Sequence, residues 1–244
     1  MSTVINKHKY FFPLLVGEVL PIGLGVEQLL GTAFAITKSI FFTAGHCLPK
    51  EGNLNVCIGI ESNGNYIPGF AKQYEIIEEL DLGIIELIEP QDIKAICWKS
   101  ERVHDATVVS VNGYAHGMDS ENAALFNRTF VGYTVSSKRN FRFKERTVMS
   151  YELNFICPRG LSGAPLIEEN AGLIIGMVHG NSSVEIETGT WTEKVIEKNE
   201  TRTYITSETM KLGEAIQNRS LLGEYSKILG MTIGEYLKKE KMLL

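Results

Sequence analysis

Residues 160–166 read Gly-Leu-Ser-Gly-Ala-Pro-Leu and place a serine between two glycines, directly before an apolar run. Glycine adopts backbone conformations that other residues avoid, so this spacing predicts a tight turn that leads into a strand. Acyl transfer needs a hydroxyl on such a sharp bend, beside backbone N–H groups that can face a developing oxyanion. The stretch therefore marks Ser162 as a candidate nucleophile.

Two other stretches carry the groups that a reactive serine needs. Residues 41–47, Phe-Phe-Thr-Ala-Gly-His-Cys, place His46 after an aromatic and β-branched run and among small residues. Asp81 opens the apolar run of residues 82–85, where a partly buried carboxylate needs a donor such as a histidine N–H. The rival acid Asp105 does not open an apolar strand. Taken singly, a core histidine, a strand-end aspartate and a turn serine are equally open interpretations.

Short apolar and β-branched runs separated by turn-rich pieces dominate the chain as far as about residue 206. This density of strands predicts an all-β sandwich or barrel. After Thr206, leucine and methionine recur at helical spacing, and Thr232 with Glu235 has the form of a capping box, so we expect a helical C-terminal tail. The predicted strands form a hairpin over residues 31–42 and continue over residues 81–88, 106–114, 129–136, 146–156 and 172–179.

The three motifs, in the order histidine, aspartate, serine, resemble the trypsin-like serine proteases, and in particular their compact bacterial relatives without disulfides. The resemblance covers residues 31–217, approximately, and implies two six-stranded antiparallel β-barrels. The first barrel is expected within residues 1–100 and carries His46 and Asp81. The second is expected within residues 101–217 and carries Ser162, followed by a helical extension over residues 218–244.

This resemblance implies a serine endopeptidase that acts on a protein or peptide substrate and needs neither a cofactor nor a metal. Ser162 would attack the scissile carbonyl, His46 would take its proton, and Asp81 would fix the histidine tautomer. The backbone N–H groups of Gly160 and Ser162 would form the oxyanion hole.

Leu161 stands where secreted relatives have an acidic residue that pairs with a new N-terminal amine after cleavage. We therefore expect no activation by N-terminal trimming, and another contact must hold the oxyanion turn. The candidates are a hairpin over residues 181–203 and the helical tail, through which a regulatory protein partner would act. Leu30 occupies the position of the family's disulfide partner for Cys47, so that disulfide is not expected.

The resemblance also locates a pocket for the side chain that precedes the cleaved bond. Ile156, six positions before the nucleophile, stands at its base, where no acid is present to bind arginine or lysine. Val178, His179 and Gly180 correspond to the strand that lines it. Because strand side chains alternate, His179 is expected to face Asp81, either as packing or in a supporting role. A small or apolar substrate residue is expected.

Composition limits the possible partners and compartment. The 244 residues carry a net charge of −5, which argues against a surface that binds nucleic acid. The apolar run of residues 11–16 is broken by Pro13 and is too short for a secretory or membrane segment. The four cysteines form no C-x-x-C pair, which favours reduced thiols. We expect a cytoplasmic protein, and the resemblance adds a regulatory or antiviral defence role.

A second function class stays open: a catalytically silent barrel that binds peptides or partner proteins as a scaffold. Covalent labelling by a fluorophosphonate would separate it from an active protease. An esterase of the α/β-hydrolase type is disfavoured, because the chain order of its catalytic residues and its strand–helix alternation are absent.

Overall fold

The computed structural model describes residues 10–20, 23–50, 55–62, 65–115, 118–119, 124–143, 146–195 and 200–244. Within these residues, two closed antiparallel barrels of six strands each confirm the predicted fold class. The strands of the first barrel are β1 Phe11–Leu20, β2 Gly23–Ala35, β3 Ile40–Ala44, β4 Asn55–Ser62, β5 Asn65–Ile77 and β6 Leu82–Leu87. They follow the order β1-β2-β3-β6-β5-β4 around the barrel.

The next eight strands along the chain are β7 Val108–Gly113, β8 Met118–Asp119, β9 Ala124–Leu125, β10 Arg128–Phe143, β11 Arg146–Leu153, β12 Pro165–Glu168, β13 Leu173–Val195 and β14 Glu200–Gln217. Six of them close the second barrel in the order β10-β11-β14-β13-β12-β7. The short β8 and β9 pair only with each other, outside the barrel. The six strands of the second barrel lie within residues 108–217, and those of the first barrel lie within residues 11–87.

The first barrel forms because its inward side chains are large and apolar. Every residue of β3 is buried, and the hairpin that joins β2 to β3 closes through a hydrogen bond from Ile36 N–H to Ile40 O of 2.8 Å, as predicted. Trp98 comes from the segment between the barrels and is fully buried against Phe34 and Phe42, with ring centroids 5.8 and 5.7 Å away. The connecting segment is therefore anchored in a barrel core.

The helical spacing after Thr206 gave a wrong prediction as far as residue 217, because these residues form β14. Cross-strand pairing with β13 runs from Gly176–Gln217 to Val195–Glu200. Leu212, Ala215 and Ile216 are buried. Pairing with a distant strand and burial thus outweigh the local spacing of apolar residues.

Beyond the barrel, β13 and β14 continue as a two-stranded ribbon, residues 181–195 paired with residues 200–213. This is the hairpin expected over residues 181–203, and it begins inside the barrel. Trp191 stacks on Tyr204 with ring centroids 5.3 Å apart. Val184 and Met210 are cross-strand partners, as are Trp191 and Tyr204, and these exposed side chains lie on one face of the ribbon.

The C-terminal tail contains two short helices, α1 Asn218–Leu222 and α2 Ile233–Lys239. Between them lies a two-residue pairing of β15 Tyr225–Ser226 with β16 Met231–Thr232. The predicted capping box is present, since Thr232 accepts from the Glu235 N–H and the Glu235 side chain accepts from the Thr232 N–H. No helix in the described part of the chain is long and apolar enough to cross a membrane.

The tail packs onto the rest of the chain. Leu221, Ile233 and Leu237 are fully buried in the core cluster that also contains Trp98. The Asn218 amide donates to the carbonyl oxygens of Lys99 and Ile174, at 2.9 and 2.7 Å. The tail therefore joins the connecting segment to the second barrel.

The docking of the tail predicts that Leu237→Ala lowers the free energy of unfolding by about 2–5 kcal/mol, since it leaves a cavity in the shared core. Lys238→Ala, on the exposed side of the same helix, should change it by no more than about 0.5 kcal/mol. Urea unfolding followed by tryptophan fluorescence measures both variants. Equal stabilities would show that the tail does not dock.

Candidate active site

A short 3₁₀ turn, Gly45–Cys47, follows β3 and carries His46, while a second one, Glu78–Leu80, precedes Asp81. Asp81 has a φ of 49°, a left-handed conformation that aspartate tolerates better than most residues. Its Oδ2 lies 2.7 Å from His46 Nδ1, and its Oδ1 accepts from the His46 N–H at 2.8 Å. Both carboxylate oxygens thus hold one histidine, whose side chain is half exposed while that of Asp81 is buried.

The hydrogen bond from Asp81 raises the pKa of His46 from its ordinary 6.5 to about 10, with a further contribution from Cys47 and an opposing one from burial. The Asp81 contact also fixes the tautomer, because a neutral imidazole that donates from Nδ1 keeps its lone pair on Nε2. In its neutral form, which a pKa of about 10 makes the minor form at pH 7, the imidazole is oriented to accept a proton at Nε2.

The turn of residues 160–163 has two glycines with positive φ, 97° at Gly160 and 85° at Gly163. A Cβ at Gly160 would collide with the carbonyl oxygen of Tyr114, and one at Gly163 with that of Thr32. Glycine is required at both positions on grounds of conformation and of space. The tight turn predicted from the sequence is present.

The backbone donors of this turn divide into two groups. The N–H of Leu161 donates to Pro158 O at 3.1 Å, and that of Gly163 donates to Val178 O at 2.8 Å. The N–H groups of Gly160 and Ser162 make no hydrogen bond to any described residue. The two predicted oxyanion donors are thus the two that the protein leaves available to a ligand.

Thr32, in β2 of the first barrel, donates hydrogen bonds to two carbonyl groups of the same turn. Its N–H donates to Ser162 O at 3.0 Å, and its hydroxyl donates to Gly160 O at 2.8 Å. The hydroxyl also accepts from the Tyr114 N–H at 3.0 Å. Sequence reasoning missed Thr32, because it lies in an apolar strand and belongs to none of the three motifs.

The serine turn and the histidine turn approach each other beside Gly31. A Cβ on Gly31 would lie 2.7 Å from Cys47 Sγ and 2.8 Å from Ser162 O, so the two turns meet there. Among the described residues, no hydrogen bond joins His46 Nε2 to Ser162 Oγ. Catalytic hydrogen bonds of this kind are often long without a ligand and shorten when substrate binds.

His179 faces Asp81, on the side expected from strand alternation. Its Nδ1 lies 3.8 Å from Asp81 Oδ2, and its Nε2 lies 3.4 Å from Glu214 Oε2. Glu214 is buried and accepts from the Ser150 hydroxyl at 2.8 Å. A second imidazole thus lies between two buried carboxylates, and Glu214 had no signal in the sequence beyond its place in an apolar strand.

The other predicted pocket residues lie in different surroundings. Ile156 is half exposed, whereas Val178 is fully buried in the core of the second barrel. Gly180 faces open space, since no atom lies within 4 Å of a Cβ built there. Asn181, which the sequence did not single out, ties β13 to the segment before the turn: its Oδ1 accepts from the Cys157 N–H at 2.7 Å and its Nδ2 donates to Cys157 O at 2.8 Å.

Asp105, the rival acid, accepts from the Ser137 N–H at 2.6 Å and is engaged in the second barrel. All four cysteines are free. Burial raises the pKa of Cys57 and of Cys157 to about 12, which keeps both thiols protonated and unreactive at neutral pH. No group of three or more potential metal ligands occurs among the described residues.

The trypsin family profile matches residues 20–196, which include His46, Asp81 and Ser162. The chain belongs to the trypsin family. It is therefore a serine endopeptidase by family, with the trypsin-like double-barrel fold described above. A comparison with curated proteins finds no match.

Solved structures of other trypsin-like proteases share the fold. The active form of the Rv3671c protease from M. tuberculosis is 18% identical with a TM-score of 0.61, over 94% of this chain and 84% of that chain. The MamO protease domain from Magnetospirillum magneticum is 12% identical with a TM-score of 0.59, over 90% and 97%. An HtrA-type protease, AlgW with a tripeptide, is 14% identical with a TM-score of 0.56, over 86% and 57%.

For this trypsin-family chain, Asp81→Asn should lower the pKa of His46 from about 10 toward 6.5, because the charged acceptor that stabilises the imidazolium is removed. An NMR titration of the histidine ring protons measures the shift. Asp92→Asn, at an exposed aspartate that pairs with Lys38, should leave the His46 titration unchanged. An unchanged His46 titration in Asp81→Asn would contradict the observed pairing.

Proposed function

We propose that this chain cleaves protein or peptide substrates through an acyl-enzyme formed on Ser162, with His46 as the general base and Asp81 as its orienting acid. The observation that carries the proposal is the pair of available N–H groups at Gly160 and Ser162, next to a hydroxyl on a tight turn. A developing oxyanion would receive two hydrogen bonds there without any rearrangement of the turn.

The reaction follows from these positions. Ser162 Oγ bonds to the substrate carbonyl carbon as its proton passes to His46 Nε2, and the carbonyl oxygen takes up the negative charge beside the two N–H groups. The imidazolium, held by Asp81 Oδ2 at Nδ1, then protonates the amine nitrogen as the carbon–nitrogen bond breaks. Water repeats the sequence on the acyl ester and releases Ser162.

An extended peptide has a place to bind beside Ser162. The edge of β13 that pairs with β12 over residues 173–177 has no strand partner beyond Val178 among the described residues. Val178 itself adjoins the turn, since its carbonyl accepts from the Gly163 N–H. A substrate strand could add to this edge by main-chain hydrogen bonds, which suits cleavage within a chain.

The amide of Asn181 supports a preference for a small side chain before the cleaved bond. It bridges the two backbone segments on either side of the predicted pocket, at Cys157 and in β13. A side chain that entered between these segments would have to displace two hydrogen bonds. The half-exposed Ile156 offers no charge to a basic substrate residue.

A catalytically silent scaffold is the second candidate, and the arrangement around Ser162 disfavours it. Packing alone does not require the two hydrogen bonds between His46 and Asp81. It also does not require two neighbouring N–H groups, at Gly160 and Ser162, that no described residue accepts. The regulatory or defence role, the cytoplasmic location and a partner that acts through the tail stay predictions of the sequence.

Ser162→Ala should abolish fluorophosphonate labelling and lower peptide cleavage by about 10⁴-fold or more, because no other nucleophile replaces it. The melting temperature should stay nearly the same, since the side chain supports no core. Ser183→Ala, at an exposed serine of the ribbon, is the matched control and should label like the parent protein. Labelling that persists in Ser162→Ala would reject the assignment, and a parent protein that neither labels nor cleaves would favour the scaffold.

Asn181→Gly should extend cleavage to larger residues before the scissile bond, because it removes the bridge to Cys157. A peptide-library cleavage profile compares this variant with the parent protein and with Ser183→Ala, two residues further along the same strand. A profile that is identical in all three would exclude Asn181 from specificity.

A further inference from the structure

We propose that Thr32 is a positioning residue that holds the oxyanion turn in its competent form without proteolytic activation. The proposal rests on the function proposed for Ser162 and adds how the site is kept ready. Of the carbonyl groups in the turn, those of Gly160 and Ser162 both accept hydrogen bonds from Thr32. These are the two residues whose N–H groups stay available.

The remaining donors of the turn are tied within the second barrel, at Pro158 O and Val178 O. Leu161 N–H and Gly160 O belong to one peptide plane, and Gly163 N–H and Ser162 O belong to another, so each of these two planes is held at both ends. The peptides that carry the Gly160 and Ser162 N–H groups adjoin these two planes, and a rotated peptide before Gly160 would point a carbonyl instead of an N–H at the oxyanion. Thr32 thus supplies two contacts from outside the barrel of the serine, and Cys47 Sγ adds a weaker one, 3.8 Å from Ser162 O.

The hydroxyl of Thr32 has a single satisfied orientation. It is fully buried, donates to Gly160 O and accepts from the Tyr114 N–H. A buried hydroxyl without partners is costly, so both bonds are kept together. A Cβ on Gly113 would lie 2.5 Å from Thr32 Oγ1, so the neighbouring strand β7 leaves room for this hydroxyl.

Thr32 also contacts the strand that precedes the turn of His46. The Thr43 hydroxyl donates to Thr32 O at 2.8 Å, and Thr43 precedes His46 by three residues. Hydrogen bonds of one residue therefore hold both the oxyanion turn and the strand β3 that precedes the turn of His46.

Leu161 explains why a contact of this kind is needed. Its side chain is fully buried in the core of the second barrel and carries no charge that a new N-terminal ammonium could pair with. The buried Leu161 side chain anchors the turn in the core of the second barrel, and Thr32 binds the turn to the first barrel. Neither contact depends on cleavage of the chain.

The test compares Thr32→Val, which keeps the shape but removes the hydroxyl, with Thr32→Ser, which keeps the hydroxyl. Thr134→Val is a matched control. Thr134 is also buried, donates to a carbonyl at 2.8 Å and accepts from a backbone N–H at 3.1 Å, but its partners are His104 and Thr107. All variants are made in the full chain, and kcat, KM and the rate of fluorophosphonate labelling are measured below the melting temperature of each.

We expect Thr32→Val to lower kcat by about 10²-fold with little change in KM, the size of effect seen when an oxyanion donor is lost. Thr32→Ser should restore most of kcat, and Thr134→Val should lose stability but keep its kcat. Equal kcat values in folded Thr32→Val and Thr134→Val would overturn the proposal.

A second measurement tests the proposal even if Thr32→Val does not fold. The intact parent chain, with its mass verified before and after reaction, should label at Ser162 without any cleavage. Labelling that appears only after the chain is cut would overturn the role of Thr32 while leaving the proposed protease intact. A parent chain that does not label in either form would reject the proposed function itself.

Discussion

The hydroxyl of Thr32 joins the two barrels beside the residues proposed for catalysis. His46 and Asp81 belong to the first barrel and Ser162 to the second, so the site exists only while the barrels keep a fixed relation. A hydrogen bond of 2.8 Å from this hydroxyl to Gly160 O and one of 3.0 Å from the Thr32 N–H to Ser162 O provide that relation within the site itself. The buried aromatic cluster around Trp98 and the docked tail keep the rest of the interface together, but they act at a distance from the turn.

The ionisable groups around Asp81 are few and lie in buried or half-buried positions. Asp81 meets two imidazoles, with His46 Nδ1 at 2.7 Å and His179 Nδ1 at 3.8 Å from the same oxygen. Glu214 lies on the far side of His179 and is itself held by Ser150. Buried carboxylates are tolerated when donors surround them, and a network of this kind fixes side-chain orientation more firmly than isolated pairs do. The orientation of His46 therefore depends on residues in both barrels.

The sequence predicted the parts of this protein that are encoded locally. Glycine on both sides of Ser162, the small residues before His46 and the apolar run after Asp81 each specify a turn or a strand by themselves. Alternation along β13 was enough to place His179 on the side of Asp81. Thr32, Asn181 and Glu214 act through contacts with residues far away in the chain, for which a single sequence carries no spacing signal. The same limit explains β14, where leucine and methionine at helical spacing belong to a strand whose partner precedes it by a long hairpin.

The strands β13 and β14 begin in the hydrophobic core of the second barrel and continue into a ribbon that has no core of its own. Near Gly213 the two strands are covered by the second barrel, whereas nearly all side chains of residues 183–192 and 201–211 are exposed, and in the described part of the chain these segments pair only with each other. A two-stranded pair alone is marginally stable in water, so its hydrogen bonds can open from the outer end inward while the barrel stays closed. The backbone amides of one continuous strand should therefore exchange with solvent at rates that fall step by step toward the barrel. The exchange rate at each position of the ribbon then reports how often the two strands separate there.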